Sequence, residues 1–165
     1  MMNSRLMFPT ALLALLVGLP SVAHAADAGI KVTSIAQTEV EVIDRNGKKT
    51  LKRNPVEKAV PGSEVIFTTT FENTIGKAAS NIVINNPVPK DTEYKAGSAF
   101  GNDCEILFSA DGGKTFGHAD ELKVKNKEGK ERNALPKEYT HIRWTYKVPL
   151  APGKSSEVGF RAMIK

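Results

Sequence analysis

The sequence predicts an all-β fold of two packed antiparallel sheets, and three observations predict it. Apolar residues recur with a period of two rather than the helical period of about 3.6. Gly, Pro, Asn and Asp interrupt the chain at short intervals, and no segment beyond residue 25 sustains a helical apolar stripe. Strands with no helices to cover a sheet must cover one another, which leaves a sandwich or a barrel, and the sandwich is the expectation.

The first 25 residues stand apart from that domain. Arg5 supplies a positive start, Ala11 to Leu19 (ALLALLVGL) an apolar centre, and Ala23-His24-Ala25 a small-x-small cleavage site in which Ala23 and Ala25 are the residues a signal peptidase reads. The run is shorter than the ~20 residues that span a bilayer, so residues 1–25 read as a cleaved signal peptide and not as an anchor. Residues 26–165 then form one exported domain, periplasmic or secreted.

Past the leader, Ile30 to Val42 alternates and lies at the end of the mature chain, which makes it a candidate for strand exchange. Asn46-Gly47 predicts a two-residue hairpin turn, setting Val42 opposite Leu51, Glu41 opposite Lys52 and Asp44 opposite Lys49. The returning strand, Lys48 to Arg53, is strongly cationic, as strands at sheet edges commonly are. Alternation continues through Val65, Phe67 and Phe71, through Ile82 and Ile84, and through Cys104, Ile106 and Phe108. The polar stretch Glu121 to Pro136 predicts a short strand at Leu122 to Lys125 followed by an exposed loop. Two further strands follow. One sets Ile142, Trp144, Tyr146 and Val148 on its apolar face, and the other Val158, Phe160, Ala162 and Ile164. Turns at Pro61-Gly62, Asn86-Pro87, Asp111-Gly112-Gly113, Gly129 and Pro152-Gly153 separate these segments.

The chain has 41% hydrophobic and 25% charged residues, which suits a globular domain and excludes a disordered, collagen-like or coiled-coil chain. Without the leader, Lys plus Arg falls from 23 to 22 against 18 acids, a net charge of +4, mostly interspersed, so nucleic-acid binding is not expected. The single cysteine, Cys104, allows no internal disulfide, so an apolar core must hold the domain. A chain of this size buries about two-thirds of its unfolded surface, enough for that purpose.

Several segments together carry a family resemblance. Pro61-Gly62-Ser63-Glu64-Val65, Phe71-Glu72-Asn73-Thr74 with Gly76, Ala79-Ser80-Asn81-Ile82-Val83-Ile84 and Pro87-Val88-Pro89 resemble the bacterial surface-repeat family known as domain of unknown function eleven. Trp144 to Val148, Leu150-Ala151-Pro152-Gly153 and the final strand look like that family's closing hairpin, so the resemblance covers about residues 60–165. It implies an immunoglobulin-like sandwich in an exported, often envelope-associated protein. The family often carries an acid before the proline loop, where this chain has Asn85-Asn86, and the sequence holds one copy where many relatives are repeat arrays.

Motifs that could carry chemistry are few. Ser109, Asp111, Gly113, Thr115 and Phe116 match the Asp-box pattern, in which the Asp and hydroxyls brace a tight hairpin, a glycine supplies the unusual backbone angle and the aromatic packs inward. Sialidases carry several such boxes; one copy reads as a structural hairpin. Asp111 alone does not make a calcium loop, and beyond the leader only His118 and His141 remain, without the Cys or His spacing of a zinc site. Gly153-Lys154-Ser155 lacks the earlier glycine of a phosphate loop, Gly97-Ser98-Ala99 lacks the flanks of a nucleophile elbow, and Cys104 reads as a buried, inert thiol.

The functional expectation is a non-enzymatic exported domain for protein–protein or envelope-surface interactions, with no catalytic residues, metal or cofactor. The expected partner is an envelope or extracellular protein, with self-association second and glycan below protein; stable membrane insertion is not expected. A carbohydrate-binding module using Phe100 and Phe116 is the first alternative. A small envelope hydrolase using Asp91, Asp103, Asp111 or Asp120 is the second.

Overall fold

A computed structural model describes residues 22–24, 29–56, 58 and 60–165. The leader expected over residues 1–25 therefore lies mostly outside the described residues, Ala25 included; Ala23 falls in a short strand, β1 (Val22–His24). The other strands are β2 (Ile30–Ile43), β3 (Lys49–Pro55), β4 (Glu64–Asn73), β5 (Val83–Pro87), β6 (Thr92–Tyr94), β7 (Phe100–Gly101), β8 (Cys104–Ser109), β9 (Lys123–Lys125), β10 (Glu131–Asn133), β11 (His141–Tyr146) and β12 (Ser155–Ile164). The fold is all-β. One sheet runs β1-β5-β11-β8, a larger one β3-β2-β4-β12-β6 with β7 also on β12, and β9 and β10 make a separate ribbon. Every pairing is antiparallel.

Period-two patterning puts the core between the two sheets. From the large sheet, Val65, Phe67, Phe71, Val158, Phe160, Ala162 and Ile164 are buried; from the small sheet, Ile84, Ile142 and Trp144. Aromatic rings join the layers: Trp144 lies 6.4 Å from Phe160, Phe71 meets Tyr146 edge-on at 5.3 Å, and Tyr94 meets Phe108 at 5.6 Å. Each such side chain contributes about 1.5–3 kcal/mol on burial, so Trp144, fully buried, belongs to the core and not to a ligand platform. One polar link crosses the core, where Asn86 Nδ2 donates to Thr69 Oγ1 at 2.8 Å and the Thr69 and Ser34 hydroxyls bond at 2.8 Å.

Buried Asn73 closes the end of β4. Its amide donates to the carbonyls of Lys77 and Leu150 at 2.8 and 2.7 Å, while its Oδ1 accepts from Ile75 N at 3.1 Å. A single side chain therefore joins the turn after β4 to the chain before β12.

Several expectations need correction. Asn86-Pro87 is not a turn but the paired end of β5, opposite Ile142 and His141. The hairpin register is slipped by one residue, with Val42 opposite Thr50 and Glu41 opposite Leu51. Asp44 is the cause: its Oδ1 accepts from the backbone N–H groups of Asn46 and Lys48, which favours a longer turn closed by Asp44 N to Lys48 O, with Gly47 at φ +77°. The polar stretch after Lys125 is not a plain loop, because Glu131–Asn133 returns as β10 and buried Leu122 and Ala134 tie the ribbon to the core. β11 ends at Tyr146, leaving Val148 exposed. The segment from Ile30 to Val42, the candidate for strand exchange, pairs with β4 through Gln37 and with β3 from Gln37 onward.

Candidate functional site

The Asp-box residues form one hydrogen-bonded turn after β8. Ser109 Oγ donates to Asp111 Oδ1 at 2.7 Å and accepts from Gly113 N at 2.9 Å. Asp111 in turn accepts from Lys114 N, Thr115 N and the Thr115 hydroxyl at 2.7–3.1 Å. The backbone N–H and hydroxyl of Thr115, then the Ser109 hydroxyl, hold the Asp111 carboxyl far below the usual aspartate range. Gly112 and Gly113 take φ of +79° and +82°, and a Cβ at Gly113 would stand 3.3 Å from the His141 ring. A carboxylate accepting from the Ser109 hydroxyl, Lys114 N, Thr115 N and the Thr115 hydroxyl braces the turn.

Phe116 departs from the inward packing the motif implies. Arg143 points away from the core, opposite buried Ile142 and Trp144, and its guanidinium carbon lies 3.7 Å from the centre of the Phe116 ring. Phe100 lies on the outer face of the other sheet, across Gly159 and with the Arg53 guanidinium 5.7 Å from its ring centre. The two aromatics proposed for a sugar platform are therefore on opposite outer faces, each with an arginine on its ring.

His141 is half-buried beside Thr140, and burial lowers its pKa. Cys104 packs against the core; burial, with a smaller contribution from Asp103, pushes its thiol up to about 11, so little thiolate forms at neutral pH. Asp91 lies in the turn before β6 and Asp103 in the turn before β8, beside the ends of β12 and β11. Among the described residues no three His, Cys, Asp or Glu side chains stand together as a metal-binding group. Two shallow depressions, of about 230 and 350 Å³, lie beside Thr145 to Pro149 and beside Asp111 to Thr115.

The far end of the β2–β3 hairpin is exposed on both strands. β2 overruns β4, so from Thr38 to Ile43 its only described strand partner is β3. Ile43 and Leu51 are 64% and 67% exposed, and Val40 and Val42 are exposed as well. Asp44 N bonds Lys48 O and Val56 N bonds Ala36 O, so the even residues of β3 bond β2, whereas Lys49, Leu51 and Arg53 turn their N–H and C=O groups outward. No described strand covers that side, and β3 is the sheet edge the cationic pattern anticipated.

Carboxylates on the hairpin are already engaged. Glu41 pairs with Lys49 at 2.8 Å and Glu39 with Arg53 at 3.2 Å, while Lys48 and Lys52 meet no carboxylate among the described residues. Arg161 clamps the hairpin base, reaching Glu39 at 2.8 and 3.0 Å and Glu64 at 2.7 Å; Lys95 reaches Glu64 at 2.5 Å. The Arg161 guanidinium chiefly lowers the Glu39 pKa, and Lys95, then Arg161, lower that of Glu64. Sequence reading missed this clamp because its members are up to 122 residues apart.

Comparisons with protein-family models, curated proteins and solved structures give no match.

Proposed function

We propose that this chain is an exported, non-enzymatic domain with an immunoglobulin-like sandwich fold that works by adding a partner's strand to the outer edge of β3. Its place is the periplasm or the medium, reached by cleavage after Ala25, which removes β1 and leaves β5 at the edge of the small sheet. The carrying observation is the uncovered edge itself: Lys49, Leu51 and Arg53 offer outward backbone groups on a hairpin clamped in place by Arg161. The resemblance to the surface-repeat family supports the same reading.

Charge selects among partners. A second copy pairing edge to edge would set one cationic strand against another, which disfavours self-association at this edge. Lys48 and Lys52, which meet no carboxylate among the described residues, favour a strand that carries acids.

Leu51→Pro tests the edge, because it removes an outward N–H without removing a bond to β2. Leu51→Thr, which keeps the N–H, is the control. Capture of envelope and culture proteins, read by mass spectrometry, is expected to yield a partner with the native protein and Leu51→Thr and to lose it with Leu51→Pro. Equal capture by Leu51→Pro overturns the proposal, as does capture of glycans alone on a matched array.

A further inference from the structure

Arg143 differs from three other arginines of the domain. Arg53, Arg132 and Arg161 each meet a carboxylate, whereas Arg143 meets none among the described residues. Its guanidinium is nonetheless held in place twice. Phe116 covers one face at 3.7 Å, and Nε donates to Asn85 Oδ1 at 2.8 Å. Both side chains stand on the outer face of the small sheet, Asn85 directly opposite Arg143 in the β5–β11 register. With Nε engaged and one face covered, the two Nη groups meet no acceptor among the described residues and form a donor fork whose orientation is set in advance.

We propose that this fork binds a carboxylate carried by an acidic segment of a partner polypeptide. A planar carboxylate matches the two parallel N–H donors of a guanidinium edge. One fork supplies one positive charge, which suits a carboxylate better than a doubly charged phosphate. Of the described cations on β11 or next to it in sequence, Lys147 is paired with Glu105 at 2.6 Å, and half-buried His141 is held toward its neutral form. A sugar acid fits less well, because Arg143 already occupies the Phe116 ring and Phe100 lies on the other sheet. This site is independent of the β3 edge, so the Leu51→Pro variant leaves it intact.

The test is a side-chain NMR titration of the purified protein, following Arg143 Nε–Hε and the Asn85 amide. The probe is a blocked peptide with Glu at alternate positions; controls are the same peptide with Gln, a uronic-acid trisaccharide, and sodium chloride at equal ionic strength. Saturable shifts with the Glu peptide, at a dissociation constant on the order of 1–10 mM, and none with the Gln peptide are expected. Arg143→Lys keeps the charge but not the fork and is expected to weaken binding ~10-fold. Phe116→Leu, which frees the guanidinium, is expected to weaken it severalfold and carries the test if Arg143→Lys does not fold. Absence of shifts, undiminished binding by Arg143→Lys or Phe116→Leu, the same shifts with chloride (an adventitious ion only), or binding of the uronic acid without the peptide would each overturn the proposal.

Discussion

Replacing Arg161 with Met is expected to loosen the β2–β3 hairpin before it loosens the core. Met keeps much of the aliphatic packing and removes three charge-assisted contacts, two to Glu39 and one to Glu64. Bonds to charged groups contribute about 1.5–3 kcal/mol each when shielded, but exposed pairs contribute only about 0–1. The three side chains here are 18–28% exposed, which places them between those limits. Neither carboxylate is stranded, because Glu39 retains Arg53 and Glu64 retains Lys95. A net loss of about 1–2 kcal/mol follows. Both carboxylates have folded pKa values lowered below their unfolded ones, so this contribution is complete above the unfolded glutamate value near ~4.3 and fades as pH falls through the folded values. Urea unfolding at pH 7 and pH 3.5 measures the loss, and amide exchange locates it. Protection should fall most at Thr50, Lys52 and Asn54, which bond β2, and least at Phe67 and Phe160. An unchanged urea midpoint with unchanged hairpin protection would show that strand pairing alone holds the hairpin and that the clamp is surface decoration.

Three other substitutions probe the scaffold. Asn73→Asp loses two donors facing two carbonyls and should cost about 2–4 kcal/mol at pH 7; because the new carboxyl's folded pKa is raised above its unfolded value, urea unfolding should show the variant regaining stability as pH falls from 7 to 4. Gly159→Ala places a Cβ 2.5 Å from the Phe100 ring and from the Phe67 carbonyl, so a loss of about 1–3 kcal/mol is expected in thermal unfolding. Asp111→Asn should lower the melting temperature and speed amide exchange at Gly113 and Thr115, whereas the native turn should stay protected near about pH 3, since its carboxyl is held ionised by the turn's donors.

What was legible in the sequence is what period two and turn chemistry encode. Val158, Phe160, Ala162 and Ile164 are buried as their alternation requires, and Trp144 stands in the core because its strand sets it beside Ile142. The hairpin slip at Asn46-Gly47 is also legible in principle: Asp44, three residues before Gly47, is a side-chain acceptor that favours a longer turn and overrides the two-residue preference of the Asn-Gly pair. Long-range geometry was not legible. Strand order brings Arg161 to Glu39 and Phe116 to Arg143, and no local pattern states strand order. Period two also says nothing about what covers an outer face, so Ile66, buried at 1% exposure on the side of β4 away from the core, could not be foreseen.

Strand addition at β3 is tested most directly by amide exchange at single-residue resolution with and without the captured partner. In the free protein, Lys49, Leu51 and Arg53 should exchange rapidly while Thr50, Lys52 and Asn54 are protected. Added partner should slow the first three and leave the second three as they were. Protection arising elsewhere, with Lys49, Leu51 and Arg53 still exchanging rapidly in the complex, would contradict the account.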